Sequence, residues 1–383
     1  MGDSRYRRVS RKRPCLICGK PDWCSRTEND SISFCARVTA GADRLSRRER
    51  WGVFYHDRTL RDNPFRRQSE PRRFHKKQTE EIAPAPLEIR DFVYASLIRL
   101  SPANNYECLT TGQKGLRTRG LENFEDYGSL PCSAFDRKNL AARLQLLLNQ
   151  NFPAFVRENP HGIRHVPGFW IDGEGEANLW QERDYAQPLL LVPYRNPAGK
   201  IQACQIRFTG EIKAKQKRYR WLSLPALNSA GSGTPLHYAG WRDFVQGDFA
   251  GKPILVTEGA LKADVVAALR PEYFPIANGG VSCSQELIVN FSRGKTLYLA
   301  FDGDCSENAV VARQLSRLLK LRLDDNRNNG SAAATKIFVW ERGAKGIDDA
   351  LLQGERMNEI TFLDWFSALD EHCRNEVSKV WDE

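Results

Sequence analysis

The sequence predicts an α/β chain: a Rossmann-like parallel sheet in the C-terminal half, preceded by a mixed α+β segment and by a small cysteine-bearing β module. Three observations carry this. Between Pro253 and Asp304, two short apolar runs, Ile254 to Val256 and Thr296 to Phe301, are each followed by a stretch of helical period. Residues 189–208 alternate as a hairpin does. Four cysteines fall between Cys15 and Cys35, inside a basic N-terminal quarter.

A chain of 383 residues has room for two or three domains. The composition shifts place a first module at 1–60, a linker at 61–86, a mixed segment at 87–250, the parallel-sheet domain at 251–352 and a helical tail at 353–383. Residues 1–86 hold 21 Lys and Arg against 11 Asp and Glu, whereas residues 87–383 hold 36 of each kind. The whole net charge of +10 therefore sits in the first quarter, an electrostatic footprint suited to a polyanion such as nucleic acid.

Within that quarter the spacing C-x2-C-x5-C-x10-C joins Cys15, Cys18, Cys24 and Cys35. Four thiolates so close in a chain of reducing, cytoplasmic type read as a structural Zn²⁺ site, and a module with few large aliphatics gains folding energy from the metal. A redox CxxC, or a set in which His56 replaces one cysteine, are the alternatives. Trp23, Phe34, Trp51, Phe54 and Tyr55 are interleaved with Arg37, Arg44, Arg47, Arg48 and Arg50, a pattern suited to single-stranded DNA, with bases stacking and phosphates paired. Trp23, Arg37, Arg47 and Arg48 are the candidate contacts, while part of the aromatic set must form the module's core. The linker carries four prolines and many charges, including Arg66-Arg67 and Arg72-Arg73.

The body opens with helical periods over Asp91 to Arg99 and Lys138 to Gln150. Leu189 to Pro193 and Ile201 to Phe208, joined at Asn196-Pro-Ala-Gly199, predict a half-buried hairpin. Lys213, Lys215, Lys217, Arg218 and Arg220 follow, with Tyr219 and Trp221 among them. The strand at Ile254 ends on Glu258-Gly259 and leads into a helix over Ala260 to Leu269; the strand at Thr296 ends on Asp302-Gly303-Asp304 and leads into one over Glu307 to Leu321. Short strands are expected at Tyr273 to Ala277 and Lys336 to Trp340. Acids at the C-terminal ends of parallel strands lie where open α/β sheets bind ligands. Three carboxylates converging there, Glu258, Asp302 and Asp304, repel one another unless a divalent cation joins them, and hard oxygen ligands suit Mg²⁺ or Mn²⁺.

VTEG (Val256 to Gly259) followed by FDGD (Phe301 to Asp304) resembles the two signature motifs of the TOPRIM domain, shared by primases, topoisomerases, recombination mediators and some nucleases. The order of segments resembles the RNA polymerase core of bacterial and phage primases: Pro193, Gly199, Arg207, Lys217-Arg218-Tyr219 and Pro235 to Tyr238 match its hairpin, its arginine, its basic-Tyr pair and the approach to TOPRIM. Arg117 to Glu122 and Asn278-Gly279-Gly280 extend the likeness. By this resemblance Arg207, Lys217, Arg218 and Lys262 touch template or nucleotide phosphates, and Lys345-Gly-Ile-Asp348-Asp349 supplies Asp348 or Asp349 as a further metal ligand. Gly346 stands where the family often has an acid, and the cysteine spacing differs from that of well-known members.

The resemblance implies a primase, and a TOPRIM nuclease would use the same acids, so both readings are carried: nucleotidyl transfer from ribonucleoside triphosphates on a single-stranded DNA template for a phage, plasmid or other mobile element, or metal-dependent strand cleavage. A non-catalytic zinc and TOPRIM DNA-binding mediator is the third. Glu258 is either metal ligand or general base. No G-x-x-x-x-G-K-[ST] occurs, so a helicase partner would be a separate protein. No apolar run approaches a membrane span, and the basic N-terminus lacks the apolar core of a signal peptide. His161 and His165 are expected to be structural, and residues 361–383 to offer at most one amphipathic helix.

Overall fold

The computed structural model describes residues 6–46, 51–56, 82–210, 217–340 and 343–382; the side chains of Tyr6, Arg44, Leu45 and Asp304 are outside the description. The chain divides into two compact units, 1–78 and 79–383.

In the first unit, β1 (Tyr6–Arg8), β2 (Ser25–Thr27), β3 (Ile32–Cys35), β4 (Arg44–Leu45) and β5 (Gly52–Tyr55) form an antiparallel sheet in the order β1-β2-β3-β5-β4. Its buried centre is Val9, Cys15, Cys24 and Cys35, with Ile17, Cys18, Val38 and Phe54 packed against them. Three of these four buried residues are thiols, so little apolar area is removed from water and the module depends on what its sulfurs bind.

The second unit opens with α1 (Leu87–Leu100), α2 (Glu107–Thr110), β6 (Gly128–Leu130), α3 (Ala134–Asn151) and α4 (Pro153–Glu158). The small hairpin of β7 (Phe169–Ile171) and β8 (Ala177–Leu179) follows, then β9 (Leu189–Arg195), β10 (Ile201–Arg207) and β11 (Tyr219–Trp221). Four of these strands make an antiparallel sheet in the order β11-β10-β9-β6. Gly199 closes the β9–β10 turn with φ +80, and its missing Cβ leaves room for the Trp241 ring, which a methyl there would meet at 2.5 Å.

The hairpin is not half-buried. Leu190, Leu191, Val192 and Tyr194 of β9 and Ala203, Cys204 and Ile206 of β10 are all buried. One face carries Leu189, Leu191, Cys204 and Ile206 against the helices α1 and α3. The other carries Leu190, Val192 and Tyr194 against Ala260, Leu261 and Val265, which belong to the helix after Glu258. Alternation misleads here because a later element covers the face that would otherwise meet water.

The chain then forms β12 (His237–Tyr238), α5 (Trp241–Gln246), β13 (Ile254–Glu258), α6 (Ala260–Leu269), β14 (Phe274–Asn278), α7 (Gln285–Phe291), β15 (Leu297–Ala300), α8 (Ala309–Asn328), β16 (Thr335–Val339), α9 (Ile347–Leu352) and β17 (Asn358–Ile360). The six-stranded sheet has the order β12-β14-β13-β15-β16-β17, with four central parallel strands and antiparallel edges. Of the central strands, β13, β14 and β15 are buried on both faces, as strands flanked by crossover helices are. No helix among the described residues is long and apolar enough to cross a membrane.

The C-terminal residues exceed the single amphipathic helix expected. After β17 come α10 (Phe362–Ala368), begun by a capping box between Thr361 and Asp364, and α11 (Glu371–Asp382). Trp365, Leu369, Cys373 and Val377 are buried in one cluster with Leu299, Leu315 and Leu318. Their apolar stripes complete the cover of the sheet, which the sequence spacing of 361–383 does not reveal. Truncating Trp365, which is fully buried, to Ala is expected to lower stability by about 3–5 kcal/mol in urea unfolding; a dispensable appendage would lose almost nothing.

Candidate functional sites

In the N-terminal unit, the ligand atoms of Cys15, Cys18, Cys24 and Cys35 lie within 4.8 Å of one another, and this is the one such cluster of His, Cys, Asp and Glu among the described residues. The Ala36 amide donates to Cys24 Sγ at 3.4 Å and the Val38 amide to Cys35 Sγ at 3.3 Å, the outer hydrogen bonds that thiolate ligands need. Burial pushes the Cys24 thiol up to about 12, against the Ala36 amide, and it raises Cys35 as well. Burial also pushes Cys18 up, but the Lys20 amide and the neighbouring thiols outweigh it and hold Cys18 lowered, at about 7. Four sulfurs gathered this closely suit a soft dication that balances the charge of their thiolates, and the donor set fits Zn²⁺. His56 takes no part: its Nε2 pairs with Ser33 Oγ at 2.8 Å.

Trp23 stands at the apex of a three-residue turn closed by the Cys24 amide on the Asp22 carbonyl at 2.8 Å. Its φ is +64, a strained conformation for a bulky side chain, and the residue is 67% exposed. Arg37 is engaged within the module, with Nη2 on Asp22 Oδ1 at 2.9 Å and Nη1 on the Asp22 carbonyl at 2.8 Å. Arg47 and Arg48 lie outside the described residues.

In the second unit, a cleft of about 420 Å³ opens at the C-terminal ends of β13 and β15. It is lined by Glu258, Asp302, Asp348 and Asp349, by Arg119, Arg218, Lys262 and Lys345, and by Gln205, Tyr219 and Gly279. Glu258 ends β13, and Gly259 (φ +91) turns the chain directly into α6, its amide donating to the Asn278 carbonyl at 2.9 Å. Lys262, one turn into α6, forms an ion pair with Asp302. The Gly303 amide donates to the Lys345 carbonyl at 2.8 Å, which ties the loop after β15 to the loop before α9. Gly346 has a positional reason: a Cβ there would meet Asp348 Oδ1 at 2.7 Å and Lys262 Cε at 2.8 Å.

Asp348 is 1% exposed and accepts from Arg119 Nη1 at 2.7 Å, while its Oδ1 is buried without a hydrogen-bond partner. Burial raises its pKa; Arg119 and Lys262 work against this, and Asp349 adds to it. The acids thus line one cleft, but they do not converge to mutual ligating distance as the cysteines do. Lysine and arginine hold Asp302 and Asp348 instead, because close carboxylates otherwise repel. The orphaned Asp348 oxygen beside Glu258, Asp302 and Asp349 fits a hard divalent cation. The Asp304 side chain lies outside the description.

Among the expected phosphate contacts, Arg218 and Lys262 line the cleft and Lys217 is exposed outside it. Arg207 stands apart from these. It is 3% exposed, donates to the Lys114 carbonyl at 2.7 Å and does not line the cleft. Sequence reasoning missed Arg119, Lys345 and Gln205. Arg119 belongs to the Arg117 to Glu122 stretch already singled out, but only the fold brings it to a carboxylate 229 positions away. His165 Nδ1 pairs with the Ala83 carbonyl at 2.9 Å.

No family model and no curated protein matches this chain. Among solved structures it is similar to the zinc-binding and RNA polymerase domains of the Aquifex aeolicus primase, at 13% identity over 77% of this chain and 72% of that one, with a TM-score of 0.44. It is also similar to the E. coli primase catalytic core, at 13% identity over 77% and 97% with a TM-score of 0.45. The RNA polymerase domain of the Mycobacterium tuberculosis primase DnaG gives 16% identity over 77% and 97%, with a TM-score of 0.43.

Removal of metal by a strong chelator is expected to unfold the five-stranded sheet of the first unit and to release one zinc per chain, with the melting of the second unit unchanged; circular dichroism and metal analysis read both. In chelated buffer, Asp348 binds its proton more tightly folded than unfolded. Stability therefore falls as pH rises from the ordinary carboxylate range through the raised value, and Asp348→Asn flattens that part of the curve.

Proposed function

We propose that this protein is a DNA-dependent primase of the TOPRIM type, which joins ribonucleoside triphosphates into short RNA on single-stranded DNA. The observation that carries the proposal is the cleft, where Glu258, Asp302 and Asp348 share one hollow with Arg119, Arg218, Lys262 and Lys345. Acids that can hold Mg²⁺ or Mn²⁺, ringed by cations that can hold a triphosphate, are what nucleotidyl transfer requires.

Glu258, Asp302 and Asp348 would hold the metal ions, with Asp349 and Asp304 as neighbouring acids. Bound there, such ions supply Lewis acidity to the attacking 3′-hydroxyl and charge neutralisation to the leaving pyrophosphate. Arg119 orients Asp348 and opposes the rise that burial gives its pKa, and Lys262 pairs with Asp302. Arg218 and Lys345 present positive charge to the phosphates, and Tyr219 flanks them. In the N-terminal unit, the cysteine cluster shapes a turn that displays Trp23, whose exposed indole is suited to stack on a template base. The wholly N-terminal location of the net positive charge supports a DNA contact there.

Incubation with single-stranded DNA, labelled ribonucleotides and Mg²⁺ or Mn²⁺ is expected to give short labelled products. Asp302→Ala is expected to lower their yield by at least about 10²-fold while leaving DNA binding in place. Shortened template without new product would overturn the proposal in favour of a nuclease. Trp23→Ala is expected to keep its zinc and to bind single-stranded DNA about fivefold or more weakly in fluorescence titration.

A further inference from the structure

The charged residues of the cleft account for phosphates and metal ions and leave one polar group unexplained. Gln205 lies on β10 and is 95% buried, yet it lines the cleft. Its carboxamide has no hydrogen-bond partner among the described residues, and it is absent from the side chains whose buried polar atoms are shut away from solvent. Its amide is therefore open only toward the hollow. The alternate residues of β10, Cys204 and Ile206, enter the apolar core on the other face of the sheet. Arg207, on the same face as Gln205, is occupied by the Lys114 carbonyl. The hydrogen bonds of the Gln205 amide are therefore left to whatever fills the hollow, water or ligand.

The surroundings indicate what docks. Gln205 pairs across the sheet with Trp221, and a Cβ built on Gly279 would lie 3.4 Å from Gln205 Nε2 and 2.6 Å from the Trp221 ring. Gly279 follows Asn278, the register partner of Glu258. In the order β14-β13-β15, Gln205 thus stands on the side of Glu258 away from Asp302. One side of the cleft holds Asp302, Asp348 and Lys345, while the other offers the Gln205 carboxamide, Gly279 and the Tyr219 ring. A nucleotide has the same division, a polyanionic end and a neutral end. A carboxamide both donates and accepts, which matches a sugar hydroxyl or the amide edge of a base, whereas a phosphate would use only its donors.

We propose that Gln205 is a specificity-determining residue of this cleft, its carboxamide hydrogen-bonding the nucleoside part of a nucleotide whose phosphates lie among Arg119, Arg218, Lys262 and Lys345. This rests on the nucleotidyl-transfer reading above and adds to it the group that reads the neutral half of the substrate. The experiment uses the full chain and two variants, Gln205→Met, which keeps the length without polarity, and Gln205→Glu, which keeps the acceptors and loses the donors. Thermal melting verifies that each folds. Primer synthesis is measured with each of the four ribonucleotides and with the matching deoxynucleotides, giving KM and kcat for each. The expected result is a KM raised about three- to tenfold with kcat nearly held, and a matching fall in discrimination. A fall in the ribo-to-deoxy ratio assigns the contact to the sugar, and a fall in the ratio among bases assigns it to the base edge. Wild-type synthesis with both ratios unchanged in a folded variant overturns the role of Gln205 alone. A wild-type protein that neither synthesises nor binds nucleotide in equilibrium dialysis overturns the nucleotidyl-transfer reading, and Gln205 with it.

Discussion

The packing of β9 against α6 is the constraint on which the second unit depends. Leu190, Val192 and Tyr194 meet Ala260, Leu261 and Val265, so the antiparallel sheet is clamped to the helix that starts immediately after Glu258. That contact places β10 and β11 over the C-terminal ends of the parallel strands. The cleft has its floor for this reason: Gln205, Arg218 and Tyr219 come from the one sheet and its edge, and Glu258 and Asp302 from the strand ends of the other. A shift of α6 would move Glu258, Lys262 and the covering sheet together.

Electrostatics sets the second requirement. A cleft with four carboxylates is viable without a bound cation only if cations of the chain neutralise them, and Lys262 and Arg119 do this for Asp302 and Asp348. The neutralisation is incomplete, since one oxygen of Asp348 is buried without a partner and its pKa is raised by burial. A site in this state has affinity for positive charge held back for a ligand. The glycines at 303 and 346 let the two acid-bearing loops approach each other closely enough for this to hold.

The N-terminal module solves a different problem, that of folding with almost no core. Its sheet surrounds thiols where a larger domain would place aliphatic side chains. The same cysteine spacing forces the Asp22 to Cys24 turn, and Trp23 occupies a conformation that glycine would adopt more readily. The strain persists because the sulfurs on either side of the turn are pinned.

Much of this was legible in the residues. Local runs reveal strands and helices wherever burial is continuous, so Ile254 to Glu258, Ala260 to Leu269 and the helix after Asp302 could be placed from their own side chains. The cysteine cluster was legible too, because ligand spacing within 21 residues leaves the chain little freedom. Pairings across long stretches were not. The second buried face of the hairpin, the sealing of the sheet by Trp365 and its neighbours, the bond from Arg207 to the Lys114 carbonyl and the arrival of Arg119 at Asp348 each join segments far apart in sequence. The sequence by itself determined which side chains are available for chemistry and which elements carry them. Only the tertiary structure decided which of them share a cleft, because a side chain's exposure and charge environment depend on what the remainder of the chain packs against it.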